Sequence, residues 1–200
     1  MPIGLSPAGW DLPALREQWR AARPFPHLVL DGLLPADQLQ ELEEACRSEP
    51  LLLQADEHFW YRASTEPPEQ PALRALALCL REPALLQALG EISGRAVTRA
   101  DARVYAYGPG CYLLPHTDCR PDDQRLLAFA WYLAQTRPLR GGALELFECG
   151  EAPGQAAARA RRIEPVANRL VLFEVSKAAL HQVREVTQGE RFSLAGWFSA

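Results

Sequence analysis

The stretch that decides the fold is the C-terminal run NRLVLFEVSKAALHQVREVTQGERFSLAGWF, residues 168–198. Its apolar segments are short, and turn residues such as the pair Gln188-Gly189 separate them. The same organisation extends back to about residue 97. It predicts strands at residues 100–107, 111–116, 125–134, 142–148, 161–166, 169–175, 181–187 and 190–198. Several strands at such short spacing indicate a sandwich, a barrel or a jelly roll.

The N-terminal half has a different pattern, because its apolar residues recur mainly at helical spacing. Helices are predicted at residues 11–22, 35–48, 70–82 and 83–93, with a short strand at 27–31. In the second helix, Leu39, Leu42 and Cys46 follow one another at three- and four-residue steps and form an amphipathic face. We therefore predict an α+β protein in which residues 1–96 are mainly helical support and residues 97–200 form one antiparallel double sheet.

Composition narrows the class of protein. A chain of 200 residues suggests a single domain, here residues 1–200, with enough buried surface to fold without disulfides. The net charge of −4 argues against direct binding to nucleic acid. The five cysteines are odd in number and show no C-x-x-C spacing, which favours reduced thiols. With no membrane-length apolar run and no signal-peptide pattern, we expect a cytoplasmic protein without a membrane partner.

The tripeptide His116-Thr117-Asp118 carries the first chemical signal. On an extended strand, residues i and i+2 point to the same face, so the imidazole and the carboxylate can reach one ion. His181 is the other histidine of the strand half. Together the three would form a facial triad, which is typical of non-haem iron(II) oxygenases. Taken alone, an H-x-D tripeptide is a weak signal, and a lone strand histidine is more often structural.

Arg191 begins the last predicted strand, after the turn at residues 188–189. An arginine in such an apolar run needs an anionic partner if it is buried, because an unpaired buried charge is costly. Its planar fork suits a carboxylate. Ser193 lies two positions on, hence on the same face, and could hydrogen-bond that carboxylate. The alternative is an arginine on a solvated strand face.

Three segments together resemble a known family. Residues 107–118 (YGPGCYLLPHTD) and 140–147 (RGGALELF) look like the prolyl-hydroxylase type of iron(II)- and 2-oxoglutarate-dependent oxygenases. The third segment, residues 168–198, is more specific and closely resembles the catalytic domain of the ribosomal prolyl 3-hydroxylases. The similarity runs from about Pro24 to the C-terminus, which is nearly the whole chain.

The resemblance implies a double-stranded β-helix, or jelly roll, buttressed by the N-terminal helices. It also implies Fe(II), 2-oxoglutarate and O2 as cofactor and co-substrates, and it leaves open a role for ascorbate. The implied reaction hydroxylates an unactivated C–H bond, with release of succinate and CO2. The implied substrate is a prolyl residue of a protein or peptide, ribosomal proteins included. A free amino acid or small metabolite is the alternative substrate, and a non-catalytic jelly-roll binding protein is the third reading.

The same resemblance assigns roles to single residues. The implied metal ligands are His116, Asp118 and His181. Arg191 would form a salt bridge with the far carboxylate of 2-oxoglutarate, and Tyr132 would hydrogen-bond that carboxylate. Tyr107 would lie near the metal end of 2-oxoglutarate.

The segment His58-Phe-Trp-Tyr-Arg62 could line the substrate entrance, and Tyr61 and Arg62 are the candidates for substrate binding. The alternative is a strand that packs its aromatic rings into the core. The apolar side chains that could wall the site are Leu114, Leu127, Phe129 and Leu172.

Overall fold

A computed structural model of the chain describes residues 7–120, 124–148 and 158–200. The helices are a 3-10 turn Pro7–Gly9, α1 Leu12–Ala21, α2 Ala36–Ser48, α3 Pro71–Cys79 and α4 Pro83–Ser93. The strands are β1 His27–Asp31, β2 Leu52–Ala55, β3 Phe59–Ala63, β4 Arg99–Tyr107, β5 Tyr112–His116, β6 Arg125–Gln135, β7 Arg140–Gly141, β8 Leu144–Glu148, β9 Ala158–Ile163, β10 Arg169–Glu174, β11 His181–Val183, β12 Val186–Gln188 and β13 Arg191–Ser199.

The helices begin and end where local chemistry requires it. The Asp11 side chain caps α1 by accepting a hydrogen bond of 3.1 Å from the backbone N–H of Ala14. Helices α3 and α4 each begin with a proline, Pro71 and Pro83, whose missing N–H is not needed in a first turn. Helix α4 ends at Gly94, which adopts the left-handed conformation with φ of 73°.

The strands form one curled antiparallel sheet with the order β1-β10-β6-β13-β4-β3-β5-β11-β8-β9, and β2 pairs with β3. Strands β7 and β12 form a separate two-stranded sheet. The curl brings the β5-β11-β8 part of the sheet opposite the β10-β6-β13 part, as a jelly roll requires. The fold class expected from the sequence is therefore confirmed.

Strand β6 separates two apolar clusters, because alternate residues of a strand face opposite sides. Leu127, Trp131 and Leu133 are fully buried in the cluster that includes the helices. Ala128 and Tyr132 belong to the second cluster, inside the jelly roll. The helices therefore cover the outside of this sheet and leave its inner face for the site.

Several predicted boundaries differ from the structure. The strand expected at residues 161–166 lies at Ala158–Ile163, and the one expected at 181–187 is divided into β11 and β12, which belong to different sheets. The N-terminal half also supplies β1, β2 and β3 to the main sheet. The β2–β3 hairpin was missed in part because the sequence of β2, Leu-Leu-Gln-Ala, does not alternate apolar and polar residues.

Two further expectations concern cysteines and membranes. Among the described residues, Cys46, Cys79, Cys111 and Cys119 are not joined by disulfides, and Cys149 lies outside the described residues. In the described part of the chain, no helix has both the length and the apolar character needed to cross a membrane.

Candidate metal and co-substrate site

The three candidate metal ligands meet between two neighbouring strands. His116 ends β5 and His181 begins β11, and the two are direct partners in the antiparallel register. Asp118 follows β5 by two residues and is therefore placed by the segment after the strand. All three ligand atoms lie within 4.8 Å of one another.

The distances suit a single ion. Nε2 of His116 lies 3.7 Å from Oδ1 of Asp118, and Nε2 of His181 lies 3.7 Å from Oδ2 of the same carboxylate. Two ligand atoms that each lie about 2.1 Å from one metal ion can be up to about 4.2 Å apart. The ring centroids of the two histidines are 4.2 Å apart. One carboxylate and two imidazoles are a donor set that iron(II) accepts.

Hydrogen bonds orient both imidazoles toward this point. Nδ1 of His116 lies 2.9 Å from the carbonyl oxygen of Leu114, and Nδ1 of His181 lies 3.0 Å from that of Ala179. Because a carbonyl only accepts, each Nδ1 carries the hydrogen and each Nε2 keeps its lone pair for a metal. Burial, reinforced by His116 and opposed by Asp118, lowers the pKa of His181 to about 4. His181 is therefore neutral near pH 7, as a metal ligand must be.

Arg191, the first residue of β13, is only 2% exposed. Its Nη1 donates a hydrogen bond of 3.2 Å to Oγ of Ser193, and its Cζ lies 4.2 Å from the ring centroid of Tyr107 and 5.1 Å from that of Tyr132. Its Nε is buried and has no hydrogen-bond partner within the described residues. A buried guanidinium with an unpartnered N–H fits an anion such as a carboxylate.

Arg191 is packed closely against the backbone at Gly142. At Gly142, a Cβ atom would lie 3.3 Å from Nε of Arg191 and 3.0 Å from Cγ2 of Val186. Burial raises the pKa of the Tyr107 and Tyr132 hydroxyls, although Arg191 opposes the shift. Both hydroxyls therefore stay protonated and can donate hydrogen bonds.

A single cavity of about 410 Å³ contains both ends of the site. Its lining includes His116, Asp118, His181, Arg191, Ser193, Tyr132, Tyr107 and Tyr61. A larger groove of about 830 Å³ passes Arg137, Arg140 and Arg162 but contains none of these side chains. The smaller cavity is therefore the candidate site, because the candidate ligand side chains line it and not the larger groove. Its volume lies within the usual range of roughly 300–1,000 Å³ for small-molecule pockets.

The residues proposed at the entrance have separate positions. Tyr61 lines the cavity, with its ring stacked on Phe59 at 4.9 Å and 5.5 Å from the ring of Tyr107. Arg62 is absent from the cavity lining and forms an ion pair with Glu190. Adjacent strand residues point to opposite faces, so these two side chains cannot share the cavity.

The position of Tyr107 differs from the one that the resemblance suggested, and two of the apolar candidates do not line the cavity. The ring of Tyr107 lies against Arg191, so its place by contact is the carboxylate end of the cavity. Leu114 and Phe129 border the cavity, whereas Leu127 and Leu172 pack in the helix-side core. Of the four apolar candidates, Leu114 and Phe129 therefore wall the cavity, and Leu127 and Leu172 do not.

Sequence reasoning missed part of the lining. Tyr105 lies two residues before Tyr107 on β4, and Trp197 lies four residues after Ser193 on β13. Both share a strand face with a residue already assigned to the site, which was the available signal. Arg125 also lines the cavity, with its Cζ 3.5 Å from the Trp197 ring centroid.

Comparison with known proteins agrees with this fold and site. Residues 102–199 match the family described as the 2OG-Fe(II) oxygenase superfamily. The matched segment contains all three candidate metal ligands and Arg191.

A curated relative, prolyl 3-hydroxylase OGFOD1 of Xenopus laevis, is 30% identical over 182 residues, which cover 88% of this chain and 35% of the relative. The chain thus spans about a third of the length of that protein.

Solved structures show the same fold. A prolyl-4-hydroxylase of Pseudomonas putida has a TM-score of 0.74 at 24% identity, over 94% of this chain and 98% of that one. A Trichoplax adhaerens prolyl hydroxylase, solved in complex with a hypoxia inducible factor oxygen degradation domain peptide fragment, has a TM-score of 0.70 at 16% identity, over 96% and 93%.

Proposed function

We propose that this chain is an Fe(II)- and 2-oxoglutarate-dependent dioxygenase that hydroxylates an unactivated C–H bond and releases succinate and CO2. One observation carries the proposal. A single cavity is lined by three convergent metal-ligand side chains and by a buried arginine whose Nε has no hydrogen-bond partner among the described residues. An oxo-diacid has the matching chemistry, since one end can chelate a metal while the far carboxylate pairs with a guanidinium.

His116, Asp118 and His181 are the residues that would hold the metal, which supplies the oxidising chemistry when bound with 2-oxoglutarate and O2. Arg191 fixes the far carboxylate by charge, and Ser193 orients the guanidinium by accepting its Nη1–H. The protonated hydroxyls of Tyr132 and Tyr107 serve as further donors at that carboxylate. Leu113 and Phe173 add apolar lining, which excludes water from part of the cavity.

The proposed substrate is a prolyl residue in a protein or peptide, possible ribosomal substrates included. Support comes from the Xenopus laevis relative, a prolyl 3-hydroxylase, which matches 88% of this chain. Tyr61 and its stacked neighbour Phe59 form an apolar wall of the cavity that suits a pyrrolidine ring. We further propose one domain over residues 1–200, a cytoplasmic location, no nucleic-acid or membrane partner, and ascorbate as an accessory reductant.

A free amino acid or small metabolite is the second candidate substrate. The favouring observation is the cavity volume of about 410 Å³, which can hold a small amino acid beside the co-substrate. A peptide, in contrast, must continue out of the cavity mouth.

The test measures succinate release from 2-oxoglutarate with proline-containing peptides, with free proline and without substrate. We expect succinate release with peptides, together with a product heavier by one oxygen atom. Asp118→Ala is the inactive control, and Arg95→Met, which removes an exposed pair with Glu174, is the matched surface control. If free proline is hydroxylated and the peptides are not, the substrate is a small molecule and not a prolyl residue of a peptide. Failure to bind metal and 2-oxoglutarate would leave a non-catalytic jelly roll.

A further inference from the structure

The strand that carries His181 lies between two neighbouring strands, β5 and β8. Strand β11 has three residues, His181–Val183. Toward β8 its register is regular, with His181 opposite Leu146 and Gln182 opposite Glu145. Toward β5 the register shifts between His181 and Val183. The pairing of β11 with β8 is therefore regular over the whole strand, whereas its pairing with β5 is interrupted.

Glu145 of β8 is a buried carboxylate that the proposed reaction does not use. It is 2% exposed and does not line the cavity. Its Oε2 accepts a hydrogen bond of 2.6 Å from Nε2 of Gln182, and its Oε1 accepts one of 3.1 Å from Nη1 of Arg159 on β9. One carboxylate thus joins β8 to the strands on both sides. Burial of a carboxylate is costly unless its oxygens accept hydrogen bonds, and these two partners supply them.

Strand geometry connects this carboxylate to the metal site. Gln182 and His181 are neighbours in sequence, so their side chains leave opposite faces of β11. His181 points into the cavity, while Gln182 is anchored from the outer face by Glu145. A fixed Gln182 therefore restricts rotation and sliding of the backbone that presents the His181 imidazole. Ligand positions must hold to a few tenths of an ångström for tight metal binding.

We propose that Glu145 is a positioning residue of the metal site, which acts on His181 through Gln182. The inference rests on the proposed function, because it presumes that His181 binds a metal. Arg159 pairs with Oε1 of Glu145 at 3.1 Å and so leaves Oε2 to Gln182.

Glu145→Gln and Gln182→Ala test this role. Glu145→Gln keeps the shape of the side chain but loses its charge. Gln182→Ala keeps the Glu145–Arg159 ion pair, so its contribution to the stability of the fold is retained. The matched control is Glu164→Gln, which breaks an exposed pair of 2.7 Å with Arg162 of the same β9 strand. Three quantities are measured: the Kd for Co(II) by calorimetry, the thermal unfolding midpoint of the metal-free protein, and amide hydrogen exchange at residues 181–183.

Both test variants should weaken Co(II) binding about tenfold, the lower range for lost outer hydrogen bonds at metal sites. Exchange at residues 181–183 should accelerate in the metal-free protein, and the control should match wild type in both measurements. A lower unfolding midpoint with an unchanged Kd would indicate a merely structural role and overturn the inference. If wild type itself binds no Co(II) at this site, the proposed function fails and the positioning role fails with it.

Discussion

Replacement of Arg191 by Met should affect 2-oxoglutarate binding without a comparable effect on the stability of the fold. Arg191 is buried, its Nε has no partner in the described residues, and its remaining contacts are Ser193 and two tyrosine rings. Methionine fills a similar apolar volume and carries no charge. Arg191→Met should therefore weaken 2-oxoglutarate binding strongly while costing the metal-free fold little.

The magnitude follows from the contacts. Loss of one partner from a buried, hydrogen-bonded charge pair costs about 2–5 kcal/mol, which corresponds to a Kd increase from about 30-fold to several thousand-fold. In the metal-free protein, the two ring contacts contribute about 0.5–2 kcal/mol each. The desolvation penalty of a buried ion, several kcal/mol, opposes them. We therefore expect the free energy of unfolding to fall by no more than about 1 kcal/mol, or to rise.

Two measurements check this prediction. Calorimetric titration of 2-oxoglutarate in the presence of Mn(II) gives the Kd, and urea unfolding of the metal-free protein gives the stability. Arg95→Met is the control, because the Arg95–Glu174 pair is largely exposed and contributes less than about 1 kcal/mol. An unchanged Kd in Arg191→Met would refute the assignment of the carboxylate site. Severe destabilisation would refute the view that Arg191 has no anionic partner among the described residues of the free protein.

Three further predictions address other parts of the account. Asp118→Ala should weaken Co(II) binding by more than about 100-fold, because loss of a direct ligand costs more than loss of a hydrogen bond to a ligand. A calorimetric Kd within tenfold of the wild-type value would contradict this. Gly142→Ala and Gly32→Ala should each lose about 1–3 kcal/mol in urea unfolding, because both have positive φ, but only the Gly142 variant should also bind 2-oxoglutarate more weakly. If the two glycine variants bind 2-oxoglutarate with equal Kd values, a side chain at position 142 does not disturb Arg191. Leu42→Ala should cost about 2–5 kcal/mol of unfolding free energy and leave the Co(II) Kd unchanged, since Leu42 is fully buried on the helix side.

The sequence was most informative where strand periodicity applied. Arg191 and Ser193 were placed on one face by their two-residue spacing, and the structure shows them hydrogen-bonded. The same rule separates Tyr61 from Arg62, and it could have excluded Arg62 beforehand. Applied to β6, it also separates Tyr132 from Leu127 and so distinguishes the cavity face from the helix-side core.

Periodicity failed where the backbone departs from a regular strand. Strand β5 ends at His116, so Asp118 reaches the site from the segment that follows and not through strand alternation. The pairing of His181 with His116 depends on the order of strands in the sheet, which local sequence does not encode. The exposed hairpin strand β2 begins with two adjacent leucines, Leu52 and Leu53, so its sequence does not alternate apolar and polar residues and gave no signal. In each case tertiary context decides the structure.

The most direct test of the central claim is an anomalous-difference map from crystals grown without O2 in the presence of Mn(II) and 2-oxoglutarate. We predict one peak among His116, Asp118 and His181, with the far carboxylate of 2-oxoglutarate on Arg191. A map without a peak at that position, or with 2-oxoglutarate bound away from Arg191, would contradict the account.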